Sequence, residues 1–147
     1  MLDNMTNLSI VTKYITLSSQ GENDIIDITN NVKSILLECQ LKTGIITLFV
    51  VGSTAAITTI EYEPGLTKDF PNMLERIAPK RIEYEHDKTW HDGNGHAHVR
   101  ASLIGPSLTI PFINGETSLG TWQQIVFVEL DTRSRERKIV VQLLGND

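Results

Sequence analysis

The chain is 147 residues long, 40% of them apolar, with a formal net charge of −5 at pH 7. That length suits one domain covering residues 1–147, with enough apolar content for one core. The acidic balance argues against a nucleic-acid surface, which needs a basic stripe, and no apolar run approaches the roughly 20 residues that span a bilayer.

Met1–Ile10 has no basic stretch followed by an apolar block. No secretory leader is expected there, and a soluble, cytoplasmic protein follows by default. From Leu8 to Leu17 the residues alternate in part and include Val, Ile, Thr and Tyr, which predicts a strand. Gly21 to Asp24 reads as a turn. Thr29 to Lys42 reads as a helix, with Thr29 or Asn30 as N-cap and Gly44 just past its end. Val32, Ile35, Leu36 and Cys39 form its apolar stripe, which places the single cysteine against a core rather than in a reactive site.

Ile45 to Val51 is a continuous apolar run of strand length and reads as a buried strand. Gly52 and Ser53 punctuate it. Ala55 to Tyr62 is a second strand, closed by Pro64-Gly65. Asp69 to Ala78 reads as a short helix capped by Asp69, with Pro71 in its first turn and Pro79 beyond its end. Arg81 to Glu85 is a candidate strand, as is Ala97 to Ile104. Ser107 to Phe112 is an edge or bulged strand because of Pro111, and Asn114-Gly115 signals a hairpin. Thr121 to Leu130 is the longest strand candidate, with Lys138 to Leu144 as its expected partner. Two helices, both early, and about eight strands give an α+β fold with a mainly antiparallel sheet or sandwich.

All four histidines, His86, His91, His96 and His98, fall within residues 86–98. Neutral imidazole is the commonest side-chain metal ligand and the usual proton carrier near pH 7. If 97–104 is extended, His96 and His98 share one face. His86 before the glycine-rich bend would then complete a three-histidine set, the arrangement of a catalytic zinc site. His91 is left as a proton carrier and Asp92 as an orienter of a ligand imidazole. The bland alternative is a solvated hairpin loop built on Asp92-Gly93 and Asn94-Gly95. Two successive turn dipeptides exceed what one hairpin requires, and their backbone N–H groups, around Asn94 and Gly95, suit an anion.

Arg100 continues the expected histidine face. Ser102 and Ser107 add donors for an oxyanion beside the metal. Glu61 and Glu129 lie in strands that otherwise read as buried. Each carboxylate is either a metal ligand or general acid/base, or is paired with an arginine such as Arg133 or exposed. Arg133, Arg135 and Arg137 alternate and form either a phosphate clamp or a solvated turn. Trp122 is a candidate to stack on a flat ring, with a core or interface anchor as the plainer reading.

The run Asp92-Gly93-Asn94-Gly95-His96-Ala97-His98, followed by Ala101 to Ser107, Ile110-Pro111, Leu119 to Ile125 and Glu129-Leu130-Asp131, resembles the YjbQ-like family. That family also carries the label secondary thiamine-phosphate synthase enzyme. Gly52 to Ile57, Glu61 and Asp69 fit the same pattern, so the resemblance covers nearly the whole chain. It implies a compact α+β fold assembled as a homotrimer. It also implies a cluster of His86, His96 and His98 near a subunit boundary, with a possible metal, and a weak ability to join the pyrimidine and thiazole halves of thiamine phosphate. The expectation is a metal-dependent enzyme, with zinc as the divalent ion, acting on a phosphorylated small molecule. The alternative is a non-catalytic trimeric module that binds a metal or a phosphorylated metabolite.

Overall fold

A computed structural model of the protein describes residues 7–147. The reading of Met1–Ile10 as leaderless therefore falls largely outside the described residues. In chain order the elements are β1 (Ser9–Ser18), β2 (Asp24–Asp27), α1 (Thr29–Cys39), β3 (Thr43–Val50), β4 (Ala55–Ile60), α2 (Leu66–Ile77), α3 (Glu85–Trp90), α4 (Gly95–Ile104), β5 (Ser107–Ile113), β6 (Glu116–Thr117), β7 (Gln124–Glu129) and β8 (Glu136–Asn146). The α+β class stands. Among the described residues the helices number four rather than two.

The strands form two sheets in which neighbours are antiparallel, one ordered β1-β8-β3-β5-β6 and the other β2-β7-β4. The larger sheet turns Ile46, Leu48, Val50, Ile139, Val141 and Leu143 inward, onto α1 and onto Ile57, Ile125 and Phe127 of the smaller sheet. The smaller sheet's other face carries Ala56, Val126 and Val128, which pack under Leu74 of α2 and Ala97 and Ala101 of α4. The small sheet thus lies between a larger sheet and a helical layer. Its middle strand β7 is covered on both faces, which is why Ile125–Val128 is an unbroken apolar run.

Several sequence expectations are corrected. Residues 97–104 are helical, not extended. The burial of His96, Ala97, Arg100 and Ala101 follows an i, i+1, i+4, i+5 stripe, and the two alanines let α4 lie close on β4. The alternating His-Ala-His triplet imitates a strand because only one residue of each pair is bulky. Residues 81–85 are no strand; Glu85 instead opens α3. Residues 138–144 do not pair with 121–130, because β8 lies between β1 and β3 in the other sheet. The strand expected from Thr121 begins at Gln124, after a turn in which the Gln123 N–H donates to Gly120 O, and Trp122 stands 72% exposed.

β3 is half-buried rather than buried, since Ile45 and Phe49 face outward. The α1 N-cap is Ile28, and the Thr29 hydroxyl instead accepts from Ile125 N–H at 2.9 Å. Its C-cap is Gln40, in the left-handed region, and Gly44 already lies in β3. α2 starts at Leu66, where the Glu63 carboxylate accepts the Gly65 and Leu66 N–H groups, so Asp69 is a first-turn residue and Pro71 lies inside the helix. The turn expected at Gly21–Asp24 leads straight into the short strand β2. The hairpin at Asn114-Gly115 is made as expected, both residues having positive φ. Cys39 packs against the main core.

Candidate functional site

The histidines divide between two places. α3 ends at His91, whose left-handed φ of 57° breaks the helix, and the chain reverses through Asp92 and Gly93 into α4. The reversal is tied by the Asp87 carboxylate, which accepts from Gly95 N–H at 2.9 Å. Gly95 must lack a side chain, because a Cβ there would lie 2.5 Å from Tyr84 Cβ. The two helices then bring His86 and His98 together, with ring centroids 4.2 Å apart and planes at 46°.

Asp92 Oδ1 lies 3.5 Å from His86 Nε2. The buried Asn94 amide stands between this group and Asp131. In one orientation it donates to Asp131 Oδ1 at 3.3 Å. Turned over, it donates to Asp92 Oδ1 at 3.0 Å and to His86 Nε2 at 3.2 Å. Burial pushes the His98 pKa below its ordinary 6.5, and the neighbouring His86 pushes the same way against the pull of Asp92, Asp131 and Asp87. His98 is therefore held neutral, the form that offers a lone pair.

His96 belongs elsewhere. Two residues apart on a helix are about 200° apart around its axis, so His96 faces away from His98. Its ring is 1% exposed; Nε2 lies 3.0 Å from Glu22 Oε1, and Nδ1 has no partner among the described residues. Arg100, one helical turn on, shares that face and is fully buried. It donates to Ala78 O at 2.9 Å, to Glu22 Oε1 at 3.4 Å and to Glu75 Oε2 at 2.6 Å. Arg100 thus joins α4 to α2 and to the turn before β2, on the His96 side rather than the His98 side.

The remaining candidates are also located. Glu129 is 0% exposed and fully engaged: Ser19 donates to it at 2.7 Å, and Arg137 at 2.8 and 2.6 Å. Its cation is Arg137, not Arg133, which is exposed. Asp131 is pushed up by burial, yet donation from Arg135, Thr132 N–H and Asn94 brings it down to about 2. Arg135 and Arg137 therefore answer two buried carboxylates instead of forming an open clamp. Glu61 is exposed beyond the far end of β4 from the histidines. His91 is exposed at the bend. The Ser102 hydroxyl donates to His98 O at 2.9 Å, and Ser107 opens β5 opposite Phe49.

His98 lines a small cleft of about 160 Å³ with Gly52, Ser53, Ala55, Ala101, Ser102 and Pro106. Gly52 and Ser53 come from the β3–β4 loop, which the sequence marks as punctuation and as part of the family pattern but not as a site. Glu22 carries no local signal in the sequence, because its partners His96 and Arg100 lie 74 and 78 residues away; Asp131 pairs with Arg135 four residues on, which alternation alone does not reveal.

The model of a family described as UPF0047 protein YjbQ-like matches residues 13–146. A UPF0047 protein of Methanothermobacter thermautotrophicus is 38% identical over 138 residues, 94% of each chain. The UPF0047 protein YugU of Bacillus subtilis is 31% identical over 135 residues, 90% of this chain and 98% of that one. Among solved structures, a protein of unknown function from Sulfolobus solfataricus superposes with a TM-score of 0.88 at 33% identity, covering 95% of this chain and all of that one. A YjbQ/UPF0047 protein from Clostridium acetobutylicum gives a TM-score of 0.79 at 38% identity, covering 89% and 98%.

Proposed function

We propose, since this chain belongs to the UPF0047 family of YjbQ-like proteins, that it is a cytoplasmic enzyme acting on a phosphorylated small molecule, with His86 and His98 as its working centre and a divalent metal, zinc, as its cofactor. The observation that carries this reading is the paired imidazoles 4.2 Å apart, one of them held neutral beside a cleft.

The donor chemistry fits zinc in part. Neutral imidazoles are zinc ligands, whereas magnesium prefers carboxylates and water, and the buried carboxylates nearby are already engaged by arginines. Among the described residues no group of three or more His, Cys, Asp or Glu is placed to hold a metal. His86 and His98 would therefore supply two ligands, and water, a substrate oxygen or a neighbouring protomer the rest. Bound there, zinc would polarise a phosphate oxygen or lower the pKa of a water. The chain's own residues orient the pair. Asp92 Oδ1, 3.5 Å from His86 Nε2, would take the proton on that nitrogen as a hydrogen bond and leave Nδ1 to a metal, and exposed His91 is free to carry protons to solvent.

The reaction named in the family's label, joining the two halves of thiamine phosphate, is the first to assay. Metal-stripped protein reloaded with zinc should show a zinc-dependent rate that His98→Ala abolishes. Absence of metal-dependent turnover on any phosphate ester or on the thiamine-phosphate halves would end the enzyme reading.

A second reading, a non-catalytic homotrimer that holds the same ligand, is favoured by the larger sheet's outer face. Its cross-strand rows run Ile10–Leu144–Ile45–Pro111, Thr12–Gln142–Thr47–Thr109 and Tyr14–Val140–Phe49. None of these residues is charged, and Ile10, Tyr14 and Phe49 are 69%, 56% and 47% exposed. Such a face suits contact with further copies of the chain.

A further inference from the structure

The geometry points to an oxyanion subsite on the β3–β4 loop, formed by the Gly52 and Ser53 N–H groups, the Ser53 hydroxyl and Arg137 Nη1, which places one phosphate group against His98. It deepens the reading above by naming where the phosphate of the substrate sits, and it rests on that reading for the identity of the ligand.

The loop is pinned at both ends. Val51 N–H donates to Lys138 O at 3.0 Å, and Thr54 O accepts from Leu130 N–H at 3.0 Å. Thr54 Oγ1 also donates to Asp131 Oδ2 at 3.2 Å and accepts from Arg137 Nη2 at 2.8 Å. Between those pins the exposed Gly52 and Ser53 N–H groups meet no acceptor among the described residues. A loop tied at both ends whose adjacent N–H groups are unpaired offers donors to an anion.

Gly52 has a second role. Its φ is +143°, and a Cβ on it would lie 2.6 Å from Arg137 Nη1. The missing side chain is what lets this guanidinium reach the loop. Arg137 donates to Glu129 and Thr54 through Nε and Nη2, which leaves Nη1 beside Gly52 without an acceptor among the described residues. His98 and Ser102 close the opposite wall. The space, about 160 Å³, is several times the roughly 30 Å³ share of a water molecule. Backbone N–H, guanidinium and hydroxyl donors gathered at one loop suit an anion with several acceptor oxygens, such as phosphate. The carboxylates that act on His98 do not close the site to anions, since Asp131 is paired with Arg135, Asp87 accepts from Gly95 N–H and Asp92 is exposed.

The test is a titration of the full chain with inorganic phosphate in EDTA, followed by amide and arginine side-chain NMR. Saturable shifts are expected at Gly52, Ser53, Arg137 and His98. Ser53→Asp, at an exposed position, should keep the fold and weaken binding at least about tenfold by placing a carboxylate among the donors, whereas Ser102→Ala, whose hydroxyl is spent on His98 O, should leave binding unchanged. Shifts confined to other residues, no saturation at tens of millimolar, or a Ser53→Asp protein that binds phosphate like its parent would overturn the subsite. Zinc binding is read in a separate titration. Its failure with the phosphate shifts intact counts against the metal centre alone, and the converse result counts against the subsite alone.

Discussion

His86 and His98 come from different helices, yet their ring centroids lie 4.2 Å apart, because α3 ends in a left-handed residue and α4 starts on a glycine that fits against Tyr84. His96, two residues from His98, lies instead at 3.0 Å from Glu22. The histidine-rich segment therefore divides into a pair beside a cleft and a buried ion cluster under α4, and the two make different predictions.

The buried cluster is structural. Arg100→Ala would take the guanidinium from Glu22, which keeps Lys80 at 2.6 Å, and open a cavity under α4, and should destabilise the protein by about 2–5 kcal/mol. Urea unfolding checks this. A variant as stable as the parent would show that Arg100 is not the tie between α4, α2 and the β2 turn.

Asp131 should make stability sensitive to acid. Its carboxyl is lowered from 3.8 to about 2, so its contribution is fully present above pH 4 and is lost as pH falls from 3.8 through about 2. Linkage makes that contribution about 2 kcal/mol. Thermal unfolding between pH 5 and pH 2 should fall less steeply in Asp131→Asn than in the parent, and equal slopes would refute the assignment.

His98 gives the opposite kind of dependence. Its folded-state pKa lies below 6.5, so in the interval beneath 6.5 the unfolded chain binds a proton that the folded chain refuses. Stability is unaffected above that interval and declines as pH drops through it. The His98 ring should titrate, by NMR, at a lower pH than a free histidine; a midpoint at or above 6.5 would contradict the burial argument.

The outer face of the larger sheet should govern assembly. Phe49→Glu or Ile10→Glu places a charge in an uncharged row of that face without touching the core, since both side chains point outward. Sedimentation velocity should report a trimer for the parent and monomer for the double variant. A monomeric parent, or a double variant that still forms the trimer, would remove this face from the account.

Much of the fold is legible in the sequence. The apolar run of Ile45–Val50, the alternation after Ser107, the Asn114-Gly115 turn and the stripe of Val32, Ile35, Leu36 and Cys39 all lie where local pattern places them. The failures have one cause. His96-Ala97-His98 alternates like a strand, and only tertiary contact reveals that Ala97 and Ala101 are small because a helix rests on β4 through them. Misreading that helix put His96 and His98 on one face and moved Arg100 to the wrong side. Glu22 takes its meaning from His96 and Arg100 far along the chain, and Asp131 and Arg137 from a turn that brings near neighbours together, neither of which periodicity encodes. Strand pairing across the two sheets is equally non-local, hence the mistaken partner for β8.

The most direct test of the paired histidines is a zinc titration of metal-stripped protein followed at the imidazole nitrogens. One equivalent should perturb the rings of His86 and His98 and leave His96 unmoved, with binding lost in His86→Ala and in His98→Ala and kept in His91→Ala. No saturable zinc binding, or binding that survives both alanine substitutions, would contradict the claim that these two rings form the working centre.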